Sequence, residues 1–268
     1  MNPLSVIIVN YRSGLILPNC LDNLFKSGLG LDFDVLVVNN DLASDLDHVR
    51  KRQWPRVSFI QSPSNLGFAA AVNRGIRSSR GEFILLINPD ITVQPGSIQA
   101  LLETMHSHPG AGIVMPLLRN PDGGLQYSCR CFYSFSTLLL RRSPLRWFYS
   151  NHPRVRKHLM LDWMHDSLAE VDWGLGAAML LRRLAIEGCG LFDERFFLYF
   201  EDVDICLRMW RQDWKVLYNP ASTMVHIHRR DSAGHWLHPA KWQHFLSLVK
   251  FVSKHKGKLG NKSTGDRG

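Results

Sequence analysis

The sequence has no uninterrupted apolar stretch near the ~20 residues that a membrane-spanning helix requires, so a protein threaded through a bilayer is not expected. No secretory pattern opens it either, since Met1-Asn2-Pro3 leads straight into a short apolar strand ending at Asn10-Tyr11-Arg12. Its five cysteines, Cys20, Cys129, Cys131, Cys189 and Cys206, are odd in number and include no C-x-x-C pair. That argues against a disulfide framework or a zinc site and predicts reduced thiols in a cytosolic protein. Two glycine-rich signatures are also missing: neither the G-x-G-x-x-G of dinucleotide binding nor a P-loop follows the first apolar strand.

What is present is a chain of 268 residues, 45% hydrophobic, enough for one large domain or two small ones with a real core. Apolar strands alternate with helical patterns. Strands are predicted at Leu4 to Asn10, Val35 to Val38, Val57 to Ile60 and Phe83 to Ile87. Helices are predicted at Leu15 to Phe25, Ser44 to Arg52, Phe68 to Ser78 and Ile98 to Met105. This alternation implies right-handed crossovers and an α/β fold, with helices on both faces of a Rossmann-like, mainly parallel sheet.

Three strand ends carry polar groups suited to a base and ribose: Asn10-Tyr11, Asn39-Asn40-Asp41 and Asn65-Leu66-Gly67. An amide can pair with a base edge and Tyr11 can stack on its face, although Asn and Asp also favour turns for local reasons. A fourth strand stops abruptly at Asn88-Pro89-Asp90. An acid at the carboxyl end of a buried strand lies where open sheets bind ligands; as a simple loop cap it would need no ligand.

Further along, Gly112 to Leu118 reads as a strand and Pro121-Asp122-Gly123-Gly124 as a turn. Val171 to Leu181 reads as one strand whose small residues permit close approach. Phe192 to Asp202 sets Glu201 and Asp202 behind an aromatic block at the start of a helix. Acids there favour the helix dipole, while the aromatics would desolvate them and raise their basicity. Asp204 and Arg208, four apart, read as a surface pair. Short strands follow at Lys215 to Tyr218 and Met224 to His228; His226 and His228 point to opposite faces, so at most one can be a ligand.

The formal charge of +9 is concentrated in two blocks. Cys129 to Leu161 holds seven Lys or Arg and no acid, mixed with aromatics, and Lys250 to Gly268 holds six against Asp266 alone. Such segments suit an anionic membrane interface or single-stranded nucleic acid; the first also fits a surface loop with a few core anchors. Lys241 to Lys254 reads as an amphipathic helix carrying Trp242, Phe245, Leu248, Val249 and Val252.

Taken together, Ser5 to Tyr11, Asn65 to Gly75, Leu86 to Asp90 and Phe192 to Arg208 closely resemble glycosyltransferase family 2, and within it the bacterial rhamnosyltransferase-like enzymes of O-antigen and cell-wall synthesis. The resemblance runs from Leu4 to about Ser232. It implies a GT-A fold and an inverting, metal-assisted transfer from a nucleotide diphosphate sugar. The domain would span 1–240, with a nucleotide-sugar-binding half at 1–118, a basic and aromatic insertion at 119–170 and an acceptor and catalytic half at 171–240; the amphipathic helix and basic tail occupy 241–268.

Carried over residue by residue, the resemblance makes Asp90 and His226 ligands of Mg²⁺ or Mn²⁺, and Asp202, with Glu201 beside it, the base. It places Val9, Tyr11, Asn39, Asn65, Gly67, Asn73, Asn88 and Asp90 at the donor, and Trp173, Gly176 and Ala177 at the acceptor. Asn39 stands where many relatives have Asp, and Asn88 where the metal motif has its first acid. The implied donor is dTDP-rhamnose, with a UDP-sugar as the other option, and the implied acceptor a saccharide or polyprenyl-diphosphate-linked saccharide. The implied location is the cytoplasm, peripheral to the inner membrane. A nucleotidyltransferase would want a glycine-rich basic loop after the first strand, where Asn10 to Gly14 offers only Arg12 and one glycine. A nucleic-acid partner is not expected, because it leaves Asp90, Glu201 and Asp202 unexplained.

Overall fold

The computed structural model describes residues 4–27, 30–43, 45–142, 149, 151–227 and 239–256. The first half runs β1 (Leu4–Asn10), α1 (Leu17–Ser27), β2 (Phe33–Asn39), α2 (Asp47–Arg50), β3 (Val57–Gln61), α3 (Phe68–Ser78), β4 (Phe83–Ile87), β5 (Ile91–Val93), α4 (Ser97–Ser107) and β6 (Ala111–Arg119). The connecting region adds β7 (Leu125–Gln126), β8 (Cys129–Arg130), α5 (Phe135–Arg142), α6 (Pro153–Leu159), β9 (Ala169–Glu170) and β10 (Trp173–Gly174). It closes with β11 (Ala178–Arg182), α7 (Arg183–Gly188), α8 (Glu201–Arg211), β12 (Lys215–His226) and α9 (Pro239–Lys254).

The main sheet is ordered β3-β2-β1-β4-β11-β6-β12-β5. Its first four strands are parallel, as the β/α alternation predicts. The remainder is mixed: β11 runs antiparallel to both β4 and β6, and β12 is parallel to β6 but antiparallel to β5. The whole is a mostly parallel mixed sheet with helices on both faces.

All seven residues of β1 are buried, and strand alternation divides them between two cores. Ile7 and Val9 join Val72 of α3 and Leu207 of α8, while Val6 and Ile8 join Leu21 of α1 and Leu101 of α4. Each such side chain contributes about 1.5–3 kcal/mol relative to exposure, which is why these strands were visible as unbroken apolar runs. Because β2 and β4 lie on opposite sides of β1, the chain reverses direction across the sheet there, opening a crevice beyond the carboxyl ends of β1 and β4.

Three expectations change. The strand predicted over Val171 to Leu181 is broken between β10 and β11, because β10 pairs with β8 in a separate two-stranded sheet while β11 joins the main sheet, and between them the Gly176 N–H turns away to a side chain. The two short strands after Lys215 are one, irregular between Asn219 and Thr223. In the basic and aromatic segment Phe132, Tyr133 and Leu138 are core anchors, so part of it packs inside the protein. Residues 143–148 and His228, to which other expectations attached, lie outside the described residues. No helix among the described residues is long and apolar enough to cross a membrane.

The start of α3 binds two distant stretches of sequence. Gly67 takes φ +83°, and a Cβ there would stand 2.6 Å from the Phe197 carbonyl oxygen, to which the Phe68 N–H donates at 2.7 Å. Gly67→Ala is therefore expected to cost about 2 kcal/mol or more, through both backbone strain and displacement of Phe197. Urea unfolding of the variant, read as a fall in midpoint at unchanged slope, checks this.

Candidate active site

The β4 strand delivers Asp90 to the crevice, and its two neighbours in the sheet supply what surrounds it. β11 starts opposite the end of β4, pairing Ala178 with Ile87, and the Asn88 N–H donates to Ala177 O at 2.8 Å. The end of β12 pairs His226 with Ile91, and the Ile227 N–H donates to Asp90 O at 2.9 Å. His226 Nε2 consequently stands 3.5 Å from Asp90 Oδ2. Gln126 Oε1 lies 3.0 Å from the other ring nitrogen; with that oxygen accepting, Nδ1 carries the proton and Nε2 is the basic nitrogen turned to Asp90. Asp90 Oδ1 is buried and makes no hydrogen bond. A carboxylate oxygen left unsatisfied beside a basic imidazole nitrogen fits a divalent cation.

The second acidic position reaches the same strand end. Asp202 Oδ2 accepts the Gly176 N–H at 3.1 Å, and Oδ1 accepts the Val203 N–H at 2.8 Å. Gly176 and Ala177 thus bridge the Asp202 carboxylate to the main chain of Asn88, two positions from Asp90. The short distance along this bridge joins residues that are far apart in the sequence.

The two adjacent acids differ in state. Burial, with the Asp202 charge second, raises the Glu201 carboxyl well above its ordinary range, and Glu201 Oε2 is buried with no hydrogen bond. Burial also raises Asp202, but its two backbone donors and the Arg130 guanidinium oppose that shift. Burial therefore disfavours the charged form of Glu201 more than that of Asp202, which has the backbone donors and is the more exposed of the pair. Arg130, on β8, lies over the Trp173 ring at 5.7 Å. Sequence reasoning placed it among the membrane-facing basic residues; the pairing of Arg130 with Trp173 across β8 and β10 brings it to Asp202 instead.

On the donor side, the carboxyl ends of the first three strands form a row of amides. Asn10 Nδ2 donates to Asn39 Oδ1 at 2.8 Å, and Asn39 Nδ2 donates to Gln61 Oε1 at 2.9 Å. Tyr11 projects beside this row, 42% exposed, with the Arg12 guanidinium 5.2 Å from its ring centre. Asn65 and Gly67 form the next loop, where Asn65 Oδ1 accepts from both the Asn40 amide and the Gly67 N–H. Val9 is buried in the core, so it can reach a ligand only through its main chain.

Several residues do other work than the family resemblance implied. Asn73 is buried and donates to Phe192 O at 2.8 Å and Glu194 Oε1 at 2.9 Å while accepting the Phe192 N–H, so its amide ties α3 to the loop before α8 and is not open to a donor. Trp173, expected at the acceptor, is buried, stacked on Tyr133 and hydrogen-bonded to Cys131 O. Ala177 is also buried and acts through its carbonyl. Asn39 spends its side chain on Asn10 and Gln61. Asp204 and Arg208 pair at 2.8 Å, but Asp204 is fully buried and also holds Lys254 and His255 of the last helix and its end, so the pair is not on the surface. The five cysteines are unpaired, and burial pushes Cys20 and Cys129 to about 12.

Comparison with known proteins decides what kind of site this is. The family model described as glycosyl transferase family 2 matches residues 5–161. The chain belongs to that family. Among glycosyltransferases of family 2 it is similar to the N-acetylglucosaminyl-diphospho-decaprenol L-rhamnosyltransferase of Mycobacterium tuberculosis, 31% identical over 86% of this chain and 78% of that protein. It is also similar to the rhamnosyltransferase WbbL of Escherichia coli, 26% identical over 72% of this chain and 70% of that protein. Among solved structures, GalNAc-T7 with UDP, GalNAc and Mn²⁺ superposes with a TM-score of 0.63 at 16% identity, covering 84% of this chain and 43% of that one. The fold is that of GT-A glycosyltransferases, and this family 2 member is a glycosyltransferase.

The Arg130 charge lowers the Asp202 pKa, so removing it raises that value further. With Asp202 as the proposed base, which works ionised, activity is lost as pH falls through its pKa. Arg130→Gln is therefore expected to move the acid limb of the kcat/KM pH profile for sugar transfer to higher pH. An unmoved limb would mean that Arg130 does not govern the base.

Proposed function

We propose that this glycosyltransferase moves a sugar, with rhamnose favoured, from a nucleotide diphosphate donor to a saccharide or polyprenyl-diphosphate-linked saccharide in cell-surface polysaccharide synthesis. The observation that carries the reading is the two-hydrogen-bond bridge from Asp202 through Gly176 and Ala177 to Asn88, which sets a base beside the Asp90 strand end. The two rhamnosyltransferase relatives support the sugar, and the mycobacterial relative's name supports a lipid diphosphate acceptor. dTDP-rhamnose is the favoured donor and a UDP-sugar the other.

Donor binding falls to the crevice beyond β1 and β4. The base stacks on Tyr11 and meets the amide row at Gln61, the outermost of the three amides and the one least buried. Asn88 and Asp90 border the diphosphate. A divalent cation, Mg²⁺ or Mn²⁺, held by Asp90 and His226 would neutralise charge on the departing diphosphate. Asp90 and His226 would supply the protein's share of the ligands to such an ion.

At the acceptor, Asp202 takes the proton of the attacking hydroxyl. The hydroxyl oxygen bonds to the anomeric carbon as the bond from that carbon to the diphosphate oxygen breaks, with inversion. The Gly176 and Val203 N–H groups hold the carboxylate in place, and the start of α8 favours its charge. A Cβ at Gly176 would stand 3.4 Å from Asp202 Cβ, so the glycine lets the main chain lie close against the carboxylate that faces the acceptor. The basic segments at Cys129 to Leu161 and Lys250 to Gly268 draw the protein to the anionic cytoplasmic face of the membrane that carries such an acceptor.

A panel of dTDP-rhamnose, UDP-hexoses and GDP-mannose, titrated with and without Mn²⁺, tests the assignment. Asp202→Asn is expected to bind its donor normally and transfer at least about 100-fold more slowly, while Asp90→Ala is expected to lose the Mn²⁺-dependent part of donor affinity. Substantial transfer by the first variant, or unchanged Mn²⁺ dependence in the second, overturns the respective role.

A further inference from the structure

The last helix is finished on one side and unfinished on the other. Its inner face closes the domain: Phe251 is fully buried against Phe200 with ring centres 5.3 Å apart, Ser247 Oγ donates to Leu198 O at 2.7 Å, and Lys254 and the following His255 reach Asp204 at 2.6 and 2.8 Å. Leu248 and Val252, two of the apolar residues noted in the sequence, also pack inward.

Trp242, Phe245, Leu246 and Val249 do not. They are 60%, 52%, 44% and 50% exposed, and their i, i+3, i+4, i+7 spacing lines them up along two turns of the outer face. The Trp242 and Phe245 rings meet edge-on at 6.2 Å. The exposed Lys250 follows Val249 on the helix, with its Nζ donating to Arg195 O at 2.8 Å, and the exposed Lys256 lies just past the helix end. From Pro239 to Gly268 the sequence holds seven Lys or Arg and a single acid, Asp266.

We propose that the outer face of α9 is a membrane-surface helix, lying in the headgroup region of an anionic bilayer with Trp242, Phe245, Leu246 and Val249 sunk among the upper acyl chains. An exposed aromatic and aliphatic stripe accompanied by exposed lysines is the composition that such a position rewards: the apolar face gains burial and the lysines meet lipid phosphates. Charge complementarity selects this occupant over a second copy of the chain. A two-fold contact through the stripe would bring the two sets of lysines together, whereas an anionic surface neutralises both. The inner face then gives the contact a role, because the helix that touches lipid is the one packed on Phe200 and Asp204, next to and within the helix that carries Asp202.

The inference deepens, and rests on, the proposed membrane-borne acceptor. Flotation of the full-length protein with phosphatidylcholine vesicles, and with vesicles containing about one-third phosphatidylglycerol, tests it without using the reaction. The wild type is expected to float with the anionic vesicles and to be released by high salt. Trp242→Ser combined with Phe245→Ser, both on the exposed face, is expected to lower partitioning at least about tenfold with an unchanged circular dichroism spectrum and unchanged transfer to a water-soluble acceptor. Wild type and variant floating equally would overturn the role of α9 while leaving membrane association standing. A wild type that floats with neither vesicle would overturn both. A wild-type dimer converted to monomers by the variant, seen by light scattering, would assign the stripe to a second copy and also overturn the proposal.

Discussion

The arrangement of the site depends on a strand that fails to continue. Between β10 and β11 the main chain passes from the small sheet to the main one: the Leu175 N–H still follows the pairing with β8, the Ala177 carbonyl already follows the pairing with β4 to Asn88, and between them the Gly176 N–H is released to Asp202. A strand running through this point would have directed the Gly176 N–H to a sheet neighbour and left the start of α8 without this tie to the end of β4. Because the two ties use main-chain atoms of a segment fixed by the antiparallel pairing of β11 with β4, they tolerate little movement. A base and a charge-bearing strand end are thereby held at a distance set by the sheet and not by flexible side chains.

Electrostatics then separates groups that look alike. Glu201 and Asp202 are adjacent, yet one oxygen of Glu201 is buried without a partner while both oxygens of Asp202 accept main-chain N–H groups. Two ionised carboxylates in this space would repel strongly, and the difference in hydrogen bonding decides which one carries the charge. Asp204, one turn further in, is the opposite case: burial alone would raise it, but His255, Arg208 and Lys254 together lower it. Three acids in four positions of one helix thus occupy three different electrical environments.

Much of this was legible in the sequence, for reasons that can be stated. Strands buried on both faces leave unbroken apolar runs, so β1, β2 and β4 were visible, and an alanine-rich stretch gave α3 to the residue. Asp90 drew notice because it ends a buried apolar run, and Asp202 because it follows an aromatic block at a helix start. What failed depended on contacts between distant segments. Spacing alone makes Asp204 and Arg208 a surface pair, since four residues apart says nothing about a later helix that will cover them. Asn73 resembles a ligand-binding amide until the loop at Phe192 is known to satisfy it. Trp173 looks like a sugar platform until Tyr133, from a segment that reads as membrane-facing, stacks on it. Arg130 and Gln126 left no local signal at all, because each acts by standing behind another residue.

The attachment of Lys254 and His255 to Asp204 sets a boundary for shortening the chain. The ties run through Lys254 and His255, so a variant that keeps the chain through Lys256 keeps them. One ending before Ser247 would strip the fully buried Asp204 carboxylate of Lys254 and His255, two of the three side chains that hold it, and uncover Phe200 beside Glu201 and Asp202. A cut made inside α9 would therefore disturb α8 from behind while leaving every residue of the strand ends unchanged.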